Sequence, residues 1–290
     1  MKIHLVDGTY ELFRAHFGAP PKKSKNGQEV GATLGLIRSM MLLLSDPEVT
    51  HVAVAFDHVI ESFRNKMYPG YKSSAGVDTV ILNQFPLAEA AIKALGLVTW
   101  PMVKYEADDA IAAAVAKFKK VKSVEQIVIC SVDKDLTQMV DGDRVICWDR
   151  RREILLTEKG VIEKFGVSPE SIPDFLALVG DSADGYPGIQ GWGEKSTSAV
   201  LAKYKHIEAI PNDPNKIPLG LGRATTLLEN LQKNYKDALL FRELSTLRRD
   251  VPLKEALADL KWLGAYPRLK KVCKELGNQS IPERVTKWRS

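Results

Sequence analysis

The sequence predicts an α/β fold: a central, mainly parallel sheet flanked by helices. Three observations carry this expectation. Short apolar runs recur along the first half of the chain, each ends at or just before an aspartate, and helix-periodic segments fill the intervals between them. Strands covered by helices on both faces have no solvated side, so they read as continuous apolar runs instead of alternating ones.

Ile3-His4-Leu5-Val6 is the first run and stops at Asp7; Val52-Ala53-Val54-Ala55-Phe56 is the second and stops at Asp57. The third, Ile127-Val128-Ile129-Cys130, leads to Asp133 and Asp135, and a fourth, Val145-Ile146-Cys147-Trp148, fits the same sheet. Residues 32–44 place Leu34, Ile37, Met40, Met41 and Leu44 at helical spacing, and residues 84–95 and 107–118 are the other crossover helices. In a parallel sheet all carboxyl ends open on one edge, where such folds bind ligands, so the aspartates are expected to converge there.

Two segments interrupt the alternation. Residues 18–30, with Lys22, Lys23 and Lys25, are expected as a polar surface loop. Residues 64–78 follow a carboxylate-bearing strand and contain Tyr68-Pro69-Gly70-Tyr71-Lys72, then Ser73-Ser74-Ala75-Gly76. A long excursion in that position suits a flexible substrate gate, here about residues 64–84. Past Asp184 the pattern changes to a glycine-rich turn followed by helices, with residues 211–218 as a surface loop. The expected organisation is a core of residues 1–184 and a helical second lobe of residues 185–290. There is no internal repeat and no low-complexity tract.

At 290 residues and 32.2 kDa the chain is long enough for one large core plus a smaller module. Its three cysteines, Cys130, Cys147 and Cys273, lack CxxC spacing and cannot all pair, which points to idle thiols in a reducing compartment. The five histidines are scattered without a zinc-binding pattern. No apolar stretch approaches bilayer length and the N-terminus enters a strand at once, so a soluble, intracellular protein is expected. Lys and Arg outnumber Asp and Glu, 41 to 36, and the net charge of +5 leans mildly towards a polyanionic partner.

The acidic residues carry the chemistry. Tyr105-Glu106-Ala107-Asp108-Asp109 heads a helix, where one or two carboxylates complement the dipole and cap free amides, but three within four residues repel one another. Asp133-Lys134-Asp135 puts two aspartates two residues apart just past a strand, where an extended backbone would aim both to one side. Asp181-Ser182-Ala183-Asp184 adds two at a spacing of three, fit for a helix face or a turn. Carboxylates crowded at one sheet edge raise one another's pKa and destabilise the fold unless cations neutralise them. Oxygen ligands without His or Cys favour magnesium or manganese over zinc. Two such ions about 4 Å apart activate water and stabilise the leaving oxygen of a phosphodiester, which makes a metal-dependent nuclease the first expectation.

Taken in order, Leu5-Val6-Asp7-Gly8, Phe56-Asp57, Ser62-Phe63-Arg64, Gly70-Tyr71-Lys72, Tyr105-Glu106-Ala107-Asp108-Asp109, Asp133-Lys134-Asp135-Leu136 and Gly180-Asp181-Ser182-Ala183-Asp184 form an ordered set of motifs. Another follows in Pro187-Gly188-Ile189-Gln190-Gly191-Trp192-Gly193-Glu194-Lys195-Ser196. The set resembles the flap endonuclease and 5′-nuclease family, in particular the 5′→3′ exonuclease domain at the start of bacterial DNA polymerase I. Each motif is weak alone; the ordered set, from about residue 3 to 250, is specific.

The resemblance implies a PIN-like 5′-nuclease fold with a helix–three-turn–helix DNA-binding lobe. The activity it implies is that of a structure-specific 5′→3′ exonuclease or flap endonuclease hydrolysing DNA by a two-metal mechanism. It implies one metal held mainly by Asp7, Asp57, Glu106 and Asp108, a second by Asp133, Asp135 and Asp184, and Asp109 and Asp181 acting directly or through water. It also implies that Lys72 and Arg64 contact the scissile phosphate and that Tyr71 and Phe13 stack on the terminal base. Gly188, Gly191 and Gly193, with Lys195 and Ser196, resemble the turn that grips duplex DNA, because glycines let the backbone approach a phosphate and the next helix start attracts it. The family often holds a potassium ion at this turn through backbone carbonyls.

One departure stands out. In the family the Tyr-Lys pair usually continues into a basic helical arch that threads a single-stranded 5′ end, whereas Ser73-Ser74-Ala75-Gly76-Val77-Asp78-Thr79 has no Arg or Lys. The partners implied are DNA 5′ ends, flaps and nicks and a separate DNA polymerase, for a cytoplasmic monomer that joins the nucleoid when bound to DNA and touches no membrane. Two other readings stay open: a PIN-type ribonuclease, which shares the acidic edge, and a DNA-binding protein of the same fold with weak catalysis. The glycine turn with Lys195 favours duplex DNA over the first, and a full carboxylate set is costly to keep folded in the second.

Overall fold

The computed structural model describes residues 1–18 and 20–289; residues 19 and 290, in the expected 18–30 loop and at the end of the expected second lobe, lie outside the described residues. The chain runs β1 (Lys2–Asp7), α1 (Gly8–Gly18), α2 (Gly31–Leu44), β2 (His51–Asp57), α3 (Arg64–Met67), α4 (Thr79–Leu82), α5 (Phe85–Ala94), β3 (Val98–Met102), α6 (Ala107–Phe118) and β4 (Gln126–Cys130). It continues through β5 (Val145–Asp149), β6 (Ile154–Leu156), α7 (Glu158–Phe165), α8 (Ile172–Val179), α9 (Glu194–Tyr204), α10 (Leu221–Lys233), α11 (Tyr235–Ser245), α12 (Arg268–Glu275) and α13 (Ser280–Glu283). The expected strands and crossover helices are present, and the strand pairing is mixed and mostly parallel.

These elements divide between two compact units. Residues 1–60, 74–132 and 248–290 form the first, and residues 61–73 and 133–247 form the second. The division therefore differs from the single boundary expected at 184: the chain leaves the first unit and returns to it. Trp262 shows why no local pattern signals the return. Its amide donates to the Thr50 carbonyl at 2.8 Å and its indole to the Leu95 carbonyl at 2.9 Å, bonds that span most of the chain.

In the first unit the strands lie in the order β3-β2-β1-β4, all parallel. Ile3, Leu5, Val6, residues 52–56, Ile127 and Ile129 are wholly buried, which is why these runs show no alternation. At ~1.5–3 kcal/mol for each large apolar side chain removed from water, they anchor the edge that carries Asp7 and Asp57. Helix α6 packs on β1, β2 and β3 with Ala110, Ala112 and Ala114 fully buried, small side chains that allow a close approach. Strand β3 has no apolar-run signature because it is mostly half-buried and contains Pro101; at the sheet edge a missing N–H leaves no ladder bond unmade.

The second unit pairs β5 and β6 antiparallel and packs α8 against α9 and α11. Asp174 on α8 is buried and accepts from the Ile207 amide at 3.0 Å and from Arg242 of α11 at 3.1 Å, which ties the helices together. Where an arch or gate was expected, α3 and α4 are one-turn helices with irregular chain between them, and Pro69, Gly70 and Gly76 interrupt any longer helix. Among the described residues no helix is long and apolar enough to cross a membrane.

Candidate active site

The first unit carries one set of acids. Asp7 closes β1 and Asp57 closes β2, and in the parallel register Asp7 lies opposite Ala55. Gly8 permits the turn into α1, since a Cβ there would sit 2.6 Å from the Phe56 ring. Asp7 accepts the Tyr10 amide on Oδ1 and the Ser131 hydroxyl on Oδ2, each at 2.8 Å. Asp57 Oδ1 accepts the Ala107 amide at 2.7 Å, joining the end of β2 to the start of α6. Glu106, buried, is the N-cap of α6 and Asp108 is half-buried in its first turn. Asp109 is fully buried: Oδ2 accepts the Glu106 amide at 3.0 Å and Oδ1 the Arg248 amide at 2.9 Å. Both of its oxygens are thereby engaged by backbone amides, the arrangement of a helix cap.

The second unit carries Asp133, Asp135, Asp181 and Asp184. The extended pair expected at Asp133 and Asp135 is a turn instead. Asp133 Oδ1 accepts the Asp135 amide at 2.9 Å, which bends the chain into a 3-10 helix over Asp135–Met139 and leaves Asp133 exposed but Asp135 only 6 % exposed. Asp181 likewise accepts the Ala183 amide and bridges to Tyr186, so the 181–184 spacing resolves as a tight turn.

Two lysines meet these acids. Lys72 Nζ lies 3.0 Å from Asp184, and Lys134 Nζ lies 2.6 Å from Asp181. Burial, the largest influence on Lys134, lowers its pKa, but the hydrogen bond and charge of Asp181, with Asp135 and Asp133, outweigh it and hold the amine above its ordinary value. Asp135 Oδ1 is buried with no hydrogen-bond partner among the described residues. Burial pushes the Asp135 carboxyl well above the usual carboxylate range, Asp133, Asp184 and Asp181 push it further, and Lys72 opposes them. The buried Tyr186 hydroxyl is raised by the same influences, burial first and then Asp135, Asp184 and Asp181. Among the described residues no group of three or more His, Cys, Asp or Glu side chains forms a ready-made metal cage.

Two side chains implied as DNA contacts are committed elsewhere. Arg64, 1 % exposed, donates Nε to the Leu244 carbonyl at 2.7 Å and a terminal nitrogen to the Thr246 carbonyl at 3.2 Å. Those carbonyls end α11, so Arg64 caps its C-terminus. Tyr71, 4 % exposed, donates its hydroxyl to Asp184 at 3.2 Å, so its ring is packed in the interior and not free to stack on a base. Phe13 is half-buried, edge-on to Phe85 at 6.1 Å.

The glycine turn joins α8 to α9. Gly188 has φ +73°, and a Cβ there would sit 2.4 Å from the Gly180 nitrogen, so the close approach admits only glycine. Gly191 also has positive φ, whereas Gly193 is an extended N-cap with open space around it. Lys195 is exposed at the start of α9, and Ser196 is buried with its hydroxyl donating to the Gly193 carbonyl at 3.0 Å. Helix α10 reaches into the turn: Asn230 donates to the Gln190 carbonyl at 2.9 Å, and Arg223 donates to the Gly191 carbonyl and to the Ser196 hydroxyl, each at 3.3 Å.

Sequence reasoning missed Lys134, whose signal was its place between two aspartates, and Phe17, 81 % exposed on the same helix as Phe13. Arg223 and Asn230 gave no sequence signal.

Residues 2–166 match the family model of the 5′-3′ exonuclease N-terminal resolvase-like domain, and residues 167–272 match that of the 5′-3′ exonuclease C-terminal SAM fold. A 5′-3′ exonuclease of Aquifex aeolicus is 32% identical over 286 residues, covering 98% of this chain and 95% of the relative. DNA polymerase I of Bacillus caldotenax is 29% identical over 289 residues, 98% of this chain, which spans only 32% of that longer relative. In fold the chain is similar to the bacteriophage T5 D15 flap endonuclease solved in complex with DNA and metal ions, with TM-score 0.66, 17% identity and coverage of 98% and 96% of the two chains.

Proposed function

Because the chain belongs to the 5′-3′ exonuclease family, we propose that it hydrolyses DNA phosphodiester bonds at 5′ ends, nicks and flaps with divalent metal ions. Asp135 carries this reading. A buried carboxylate with an unpartnered oxygen, pressed by three like charges, is stabilised by a cation that accepts several oxygens. The T5 neighbour, solved with DNA and metal ions, supports extending both to this chain.

The donor set is oxygen only and fits magnesium or manganese. The proposed ligands are Asp7, Asp57, Glu106 and Asp108 for one ion and Asp133, Asp135 and Asp184 for another, with Asp181 reaching through water. Asp109 is left out of both sets because it is fully buried while its oxygens cap two amides. Ions bound there supply Lewis acidity and activate water.

The chain's own residues do the rest. Tyr71 keeps Asp184 oriented, and Lys72 exchanges Asp184 for the scissile phosphate, whose charge it stabilises. Arg64 acts at a distance, by fixing the segment that bears Tyr71 and Lys72 to the end of α11. Free amides at the start of α9 and Lys195 hold duplex backbone phosphates without reading sequence. Phe13, with Phe17, is the proposed stacking surface for a terminal base. The protein is proposed to work as a cytoplasmic monomer on substrates left by a separate polymerase.

The test is a labelled 5′-flap duplex beside a matched single-stranded RNA, incubated with magnesium, with chelator, or with Asp135→Ala in place of the wild type. Flap cleavage that requires metal and Asp135 is the expected result. Cleavage of the RNA alone overturns it in favour of a ribonuclease, and metal-independent flap binding without product favours a binding protein.

A further inference from the structure

In the turn between α8 and α9 the Gln190, Gly191 and Gly193 carbonyls are already engaged by protein donors. An ion held by backbone carbonyls needs several of them to converge with no competing charge, but here donors from α9 and α10 occupy them. Asn230 takes the Gln190 carbonyl at 2.9 Å. Arg223 takes the Gly191 carbonyl and the Ser196 hydroxyl, both at 3.3 Å. The Gly193 carbonyl accepts the Ser196 hydroxyl and the Thr197 amide, each at 3.0 Å.

We propose that Arg223 is the resident cation of this turn: its guanidinium stands in for a monovalent metal ion, so that duplex binding through the turn is indifferent to which alkali cation is present. The inference rests on the DNA-binding reading above. A planar guanidinium has five donors in a fixed fork. Two contacts are spent inside the turn, and Arg223 is exposed, so the remaining donors stay available to a backbone phosphate held by Lys195 and the start of α9. A covalently tethered charge is always present, whereas an ion must be recruited from solution at a concentration-dependent cost. Arg223 also links the turn to α10, and Trp192 makes a second link by donating its indole to the Leu227 carbonyl at 3.0 Å. The turn is therefore shaped before any DNA arrives.

The experiment measures fluorescence-anisotropy binding of a labelled flap duplex to the full chain in chelator, in potassium, sodium or choline chloride at equal ionic strength. Wild type is expected to bind with one Kd in all three salts, because counterion release depends on salt concentration and not on the identity of the cation. Arg223→Ala is expected to weaken binding in choline about tenfold, the value of one charged hydrogen bond, and to recover part of that loss in potassium. Arg223→Lys, which keeps a charge, is expected to stay indifferent to the salt. A wild-type Kd that tightens in potassium overturns the inference, as does an Arg223→Ala protein that binds like wild type in every salt. A loss that potassium does not repair overturns it too, since Arg223 would then be a phosphate contact only. The wild-type comparison needs no variant to fold. Binding that fails in every salt brings down the DNA-binding reading itself, whereas binding with a potassium preference brings down this inference alone.

Discussion

The acids at the strand ends of the first unit and the acids around Asp135 in the second are held by different chemistry. Asp7, Asp57 and Asp109 accept backbone amides and a serine hydroxyl, donors placed by secondary structure. Asp184 and Asp181 are paired with the amines of Lys72 and Lys134, and Asp135 keeps an unpartnered buried oxygen. The difference teaches where stability and function pull apart. Removing an acid that caps backbone amides strands those donors, while removing a crowded acid relieves repulsion.

The largest expected effect tests that contrast directly. Asp135→Asn should lower flap cleavage by on the order of 10²–10³-fold, the scale of losing one preorganised electrostatic group, yet raise the melting temperature in chelator. Asp7→Ala should also lose cleavage but melt at a lower temperature, having lost ~1–3 kcal/mol of stability to unsatisfied donors. If both variants shift melting in the same direction, the contrast between the two units is wrong.

Next comes Lys72. Lys72→Ala should lower single-turnover cleavage roughly 10²-fold, as loss of a cation aimed at developing charge does, with flap affinity changing far less. An equal fall in affinity and rate would mean that Lys72 serves ground-state binding only.

Asp109→Ala should cost ~1–3 kcal/mol of stability, because the Glu106 and Arg248 amides lose their acceptor, while manganese affinity measured by titration stays near wild type. A stable Asp109→Ala protein with weakened metal binding would return Asp109 to the ligand set.

The smallest expected effect is in pH. The Asp135 carboxyl is raised above its ordinary 3.8 in the folded chain, so below that value both states are protonated and no cost exists. As pH climbs from 3.8 through the folded value, the unfolded chain ionises first and the folded chain loses stability. In chelator, the melting-temperature advantage of Asp135→Asn over wild type should therefore be absent near pH 3.5 and grow as pH rises from about 4. An advantage that shrinks with pH would reverse the sign assigned to Asp135.

Much of this architecture is legible in the residues themselves. Asp7 and Asp57 end the strands where their apolar runs end, because burial on both faces writes itself into a short local period. Gly188 is legible for a related reason, since a backbone that must pass 2.4 Å from another leaves glycine as the one residue that fits. Spacing predicts Asp133 and Asp135 as extended, but a side chain accepting an amide two residues on competes with the strand, and spacing cannot tell the two apart.

What the sequence determined by itself is thus the kind of fold, the strand ends that bear carboxylates and the ordered motifs of a 5′ nuclease. Tertiary structure alone decided which charge meets which: Arg64 turned inward to cap α11, Tyr71 and Lys72 on Asp184, Lys134 on Asp181, Arg223 in the glycine turn, and residues 248–290 returned to the first unit. The reason is physical. A strand or a turn is specified by neighbours in the chain, whereas the partner of a long charged side chain depends on distances that exist only once remote segments have packed.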